Sequence, residues 1–100
     1  MSAPAAGDVL PIEGALSFET VPAVLAQSME YASRPDVPAH LTLDFAKVTT
    51  VDSSAVALLL EWLRQARARG KTLTFVNLPP TLLAFARLYG VSELIQPAAA

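Results

Sequence analysis

The residues best suited to chemistry are Asp52, Ser53 and Ser54, a carboxylate followed by two hydroxyls. A serine hydroxyl can act as a nucleophile, accept a phosphoryl group or cap a helix. The first role needs a base within reach. His40 is the single histidine. It sits at a strand start beside a proline-containing loop and reads as a solvated turn residue. There is no cysteine, no glycine-rich phosphate loop and no metal-ligand spacing. No catalytic residue, cofactor or metal is therefore expected, and the chain does not read as an enzyme. Asp52 reads as a helix-start residue. The two serines are then either caps or a place for a phosphate. Free N–H groups and the helix dipole accommodate a dianion there. A phosphoserine would add about −2 of charge.

The elements around this triplet follow from periodicity. Val9 to Leu16 reads as a strand. Pro11 lacks a backbone donor and marks an edge or a bulge, and Gly14 a bend. Thr20 and Pro22 open a helix that carries Val21, Val24, Leu25 and Met29 to about Ala32. Pro35, Asp36 and Pro38 make a loop. Leu41, Leu43 and Phe45 alternate with polar residues, so this strand buries one face. Val48 to Val51 lead on to the serines. A helix from about Ser54 to Arg69 ends at Gly70. Lys71 to Leu78 is the next strand, and Pro79 and Pro80 break it. Thr81 to Tyr89 is a short helix closed by Gly90. Val91 to Ile95 reads as a last helical turn or a short strand. Strands alternating with helices imply a mostly parallel sheet. Residues 1–7 and 96–100 read as flexible tails around one domain, 8–95.

Composition narrows the function classes. Of the 100 residues, 53% are hydrophobic and 16% charged, so a disordered chain is excluded. Eighteen of the hydrophobic residues are Ala, against fifteen Leu, nine Val and two Ile. The net charge of −2 argues against nucleic acid as a partner. No apolar run approaches roughly 18 residues, so direct membrane insertion is not expected. The N-terminus lacks the basic and apolar regions of a signal peptide. The expected location is the cytoplasm, at the periphery of the inner membrane only through a partner.

Two helices carry apolar residues beyond one core face. On a 100° step, Val56, Leu59, Leu60, Leu63 and Ala66 form the core side of the central helix. Leu58 and Trp62 fall at roughly 200° and 240°, on its edge with Ser54. In the next helix Leu82, Phe85, Ala86 and Tyr89 form the core side, leaving Leu83 and Leu88 off it. Leu58 and Trp62 either widen the core against a neighbouring helix or form a partner-binding ridge. The bases Arg64, Arg67, Arg69, Lys71 and Arg87 are either a basic patch near that ridge or solvated helix ends.

The run Leu43-Asp44-Phe45-Ala46-Lys47-Val48-Thr49-Thr50-Val51-Asp52-Ser53-Ser54-Ala55-Val56 resembles the signature of STAS domains, found in sulfate transporters and anti-sigma factor antagonists. Ala55 stands where the family has Gly, and Val56 where it has Leu. Leu83-Ala84-Phe85-Ala86-Arg87-Leu88-Tyr89-Gly90 resembles one branch, the MlaB-type subunit of the Mla phospholipid ABC transporter. The resemblance implies an α/β STAS-like fold. Its sheet would be mixed and mostly parallel, of about four strands, with helices mainly on one face. It also implies a non-enzymatic regulatory subunit that binds the transporter's cytoplasmic ATPase, in a system serving outer-membrane lipid asymmetry. The alternative it implies is an anti-sigma factor antagonist, bound by an anti-sigma kinase and phosphorylated at Ser54. In the Mla branch the comparable hydroxyl falls on Ser53, so both serines are possible phosphoacceptors. The expected partner-binding residues are Asp52, Ser53, Ser54, Ala55, Leu58, Trp62, Leu83 and Arg87.

Overall fold

A computed structural model describes residues 8–95. The two expected tails, 1–7 and 96–100, lie outside the described residues. Strand β1 (Asp8–Leu16) leads through α1 (Val21–Ala32) to β2 (His40–Val51). Helix α2 (Ser54–Ala68) then leads to β3 (Thr72–Val76), and α3 (Pro80–Leu88) and α4 (Ser92–Ile95) close the chain.

The sheet has the order β1-β2-β3 and both pairings are parallel. The expected α/β class holds. The sheet of about four strands with mixed direction does not, because the described residues form three parallel strands. The fourth candidate, Val91 to Ile95, makes helical turns: the amides of Leu94 and Ile95 both donate to the Val91 carbonyl. Stepping from β1 to β2 to β3 in one direction, right-handed crossovers place α1 and α2 on one face of the sheet. The alternation along β2 agrees. Leu41, Leu43 and Phe45 are buried on that face, and Thr42 and Asp44 between them are half-exposed.

β2 is longer than the alternation suggested. It pairs with β1 from Leu41, opposite Asp8, to Val51, opposite Leu16. Two register shifts absorb the length, one at Pro11–Glu13 and one at Gly14–Leu16. Pro11 thus lies on an edge strand and at a bulge, where its missing donor costs least. His40 is the first residue of β2, not a turn residue. Its ring nitrogens lie 2.6 Å from Thr72 Oγ1 and 3.1 Å from Thr74 Oγ1 on β3.

Helices α2 and α3 stop in the same way. Gly70 and Gly90 have φ of +68° and +73°. The amide after each glycine reaches back into the helix, Lys71 to the Ala66 carbonyl at 2.8 Å and Val91 to that of Ala86 at 2.9 Å. This closure needs a left-handed residue, which glycine supplies without steric cost.

The core lies between the sheet and α2 and α3. Phe45 contacts Phe75 edge-on at 5.8 Å and Trp62 at 6.5 Å between ring centroids. Leu16, Leu59, Leu82 and Ile95 complete it. The buried side of α2 is rotated from its expected position, towards Leu58 and Trp62. These are 2% and 6% exposed. Leu60, Leu63 and Ala66 are only half-buried. The reason is α1: it covers the flank that the helical projection leaves open, and Trp62 Nε1–H donates to Ser28 Oγ on α1 at 2.7 Å. Leu58 and Trp62 are therefore core residues, not an exposed ridge. Trp62→Ala is expected to cost about 3–5 kcal/mol, a large part of a stability of about 5–15 kcal/mol. Denaturant unfolding measures this. A loss below about 0.5 kcal/mol would return Trp62 to the surface.

Candidate functional site

The site forms where β2 runs into α2. The Asp52 amide donates to the Leu16 carbonyl at 3.1 Å, which sets the end of β1 beside it. The Asp52 carboxylate then accepts from two directions. Oδ1 takes the Ser54 amide at 2.9 Å and also the Ser54 hydroxyl. Oδ2 takes the Phe18 amide, at 2.9 Å, from the turn between β1 and α1. One side chain thus fastens the first turn of α2 to a turn 34 residues away in sequence.

That turn is also braced from within. The Thr20 hydroxyl donates to the Ala15 carbonyl at 2.7 Å and accepts the Ser17 amide at 2.9 Å. Thr20 precedes α1 but does not cap it. Its oxygen shapes the turn that presents Phe18. The Phe18 side chain is 83% exposed although its backbone is held. A large apolar side chain on a fixed backbone loses little entropy when a partner covers it.

Phe18 borders a shallow depression with Asp52, Ser53, Ser54, Ala57, Leu60 and Tyr89. Tyr89 is 54% exposed, against the expectation that it faces the core. It is the C-cap residue of α3, with φ −89° and ψ 1°, so the helical projection stops short of it. Next to it Leu88 is 75% exposed. The floor is apolar and small, and the rim is polar: this is the composition of a protein-binding surface.

The expected contact residues divide accordingly. Asp52, Ser53 and Ser54 come together at the depression. Ala55 is fully buried under the first turn of α2 and offers no contact. Leu58 and Trp62 face the core. Leu83 is half-buried and Arg87 exposed on α3, and neither lines the depression. The basic residues form no single patch: Arg64 pairs with Glu61, while Arg69 and Lys71 donate to carbonyls of Ala32 and Val37. The sequence reading gives Phe18 and Ala57 no role and assigns Leu60 and Tyr89 to core sides of their helices. Phe18 carried the clearest signal, a large apolar residue within the polar turn Ser17–Thr20.

The serines are not equivalent. Ser53 is the N-cap by position, yet its side chain makes no capping bond. It is exposed. Ser54 is half-exposed and its hydroxyl is committed to Asp52. The bonds from the Ser54 hydroxyl, first, and then from the Phe18 amide hold the Asp52 carboxyl below its ordinary value of 3.8. A carboxylate so held is a stable acceptor and a poor base.

The family model described as "Mlab, STAS domain" matches residues 1–96. The chain is a STAS domain of the MlaB type. Solved structures share its fold. The anti-sigma factor antagonist SpoIIAA in its unphosphorylated form superposes with a TM-score of 0.70 at 22% identity, over 91% of this chain and 78% of that one. The phosphorylated form of SpoIIAA, a Bacillus cell fate determinant, gives 0.65 at 22% identity, over 91% and 81%. A sulfate transporter family protein from Wolinella succinogenes gives 0.73 at 18% identity, over 95% and 75%. A search of curated proteins finds no match to this STAS domain. Among its described residues no helix is long and apolar enough to cross a membrane.

The Asp52 tether has a pH signature. Its folded pKa lies below the unfolded one, so the stability it adds is present above 3.8 and is lost as pH falls through the folded value. Asp52→Ala should remove that acid-side component and speed amide exchange at Phe18 and Ser54 at neutral pH. Hydrogen exchange followed by NMR reads both effects. Unchanged protection at Phe18 would show that the turn does not depend on Asp52.

Proposed function

We propose that this STAS domain is a non-enzymatic regulatory subunit. It binds the cytoplasmic ATPase of an Mla-type phospholipid ABC transporter and supports its assembly or activity. The observation that carries the reading is the fixed, exposed Phe18 beside Ser53, Ala57, Leu60 and Tyr89, in a chain of the MlaB-type family. Contact is centred on the first turn of α2 and flanked by Phe18 and Tyr89. Ser53, exposed on this rim, would meet the partner directly. Asp52 serves indirectly by holding the two halves of the surface in register. The domain would sit in the cytoplasm and reach the inner membrane only through the ATPase.

A second reading is favoured by one bond, that of the Ser54 hydroxyl to Asp52. In an anti-sigma factor antagonist, a phosphoryl group on Ser54 would replace the donated proton with a dianion beside a carboxylate. Repulsion would break the tether and release the Phe18 turn. Such a protein would be recovered with an anti-sigma kinase.

Affinity purification of the full chain from its native cell separates the two readings. The first predicts recovery of an ABC ATPase. Recovery of an anti-sigma kinase without it would overturn that reading. With the ATPase in hand, Phe18→Asp and Ala57→Glu should each weaken binding about tenfold or more. Both are exposed, so stability should shift by less than about 0.5 kcal/mol. Calorimetric titration beside thermal melting checks the pair.

A further inference from the structure

Helix α1 packs on the core only through the half-buried Val21, Val24 and Leu25. None of its residues is buried. Between α1, α2 and the sheet lies a cavity of about 240 Å³. Its apolar walls include Ile12, Leu43 and Leu73 on the three strands, Val24 on α1 and Trp62 on α2, and Gln27 and Gln65 are among the polar residues that line it. An apolar cavity of about 150 Å³ stays dry and takes a benzene-sized guest. On that scale about 240 Å³ holds a chain of roughly ten carbons.

The mouth has a definite charge. Arg69 is exposed and Lys71 half-exposed, and both line the cavity. Arg69 Nη1 donates to the Ala32 carbonyl and Lys71 Nζ to the Val37 carbonyl, each at 2.8 Å. Both partners are neutral. Among the described residues no Asp or Glu lines the cavity. Two cations on the rim of an apolar pocket match a molecule with one anionic head and one apolar tail.

We infer that this cavity is a binding site for a medium-chain fatty carboxylate, with the acyl chain among Ile12, Val24, Leu43 and Trp62 and the carboxylate at Arg69 and Lys71. The site is separate from the depression at Phe18, and the inference does not rest on the proposed partner. Burial of the tail supplies most of the affinity, and the charge-assisted bonds set the polarity of entry. Filling the gap would also pin α1 against the sheet, so the ligand stabilises the fold by mass action.

Trp62 is the chain's single tryptophan and lies in the cavity wall, so its fluorescence reports occupancy directly. The full chain is titrated with terminally brominated decanoate below its micelle concentration. Saturable quenching and a rise in melting temperature with unbrominated decanoate are expected. A bromine at the tail end quenches Trp62 only if the tail enters first. The double variant Arg69→Gln with Lys71→Gln should weaken binding about tenfold. The brominated alcohol of the same length should bind the unaltered chain as weakly as decanoate binds that variant. Val24→Phe, which fills the gap, should abolish quenching. Absence of saturable quenching would overturn the inference. So would equal affinity for the double variant and the unaltered chain, which would mean adsorption without a built site. The double variant removes no buried side chain, its own melting temperature reads the loss of the bonds to Ala32 and Val37, and it decides the matter alone if Val24→Phe does not fold.

Discussion

The candidate surface of this domain depends on one carboxylate. Asp52 stands at the junction of β2 and α2 and accepts hydrogen bonds from Ser54 and from Phe18. Without it the first turn of α2 and the turn after β1 would be joined only through the strand ends, by the bond from the Asp52 amide to the Leu16 carbonyl. With it, a phenyl ring, two serines and the end of α3 form one surface. The carboxylate also orients the Ser54 hydroxyl and leaves the Ser53 hydroxyl outward. A charge held at a helix start is favoured by the helix dipole as well. Capping and site geometry are therefore the same interaction.

Packing explains why that surface lies where it does. β2 is paired on both sides and gives its apolar face to α2. Helix α2 is covered by α1 on one flank and by α3 and α4 on the other. Its start is accessible at Ser53 and Ala57, and its polar side at Arg64, Arg67 and Ala68. Helix α1 is the loosest part of this arrangement: it seals the flank of Trp62 without burying a residue of its own. The cover that makes Trp62 a core residue is thus also the source of the cavity beside it.

Most of the fold was legible in the sequence. Proline, glycine and alternation placed three strands and the helices between them, because these signals are local. The faces of the helices were less legible. A projection of α2 assigns its apolar arc but not which neighbours cover its flanks. Leu58 and Trp62 are therefore open to a core or a partner in the sequence, and the fold buries both, with α1 on the flank of Trp62. Tyr89 failed for a different reason, since the helical period does not reach a C-cap. Asp52-Ser53-Ser54 was found as a motif, yet its tie to Phe18 spans 34 residues and has no local signature. Ala55 is a further case: it belongs to the motif, and the helix turns it inward with Val56.

The central claim is that the partner is met at the surface held by Asp52. NMR shift mapping of the labelled domain during titration with the purified ATPase tests it most directly. Perturbations are expected only in the turn 17–20, from Asp52 through the start of α2 to Leu60, and from Leu88 at the end of α3 to Gly90. Perturbation of the uncovered sheet face around His40, Thr72 and Thr74, with the Phe18 and Ala57 signals unmoved, would contradict it.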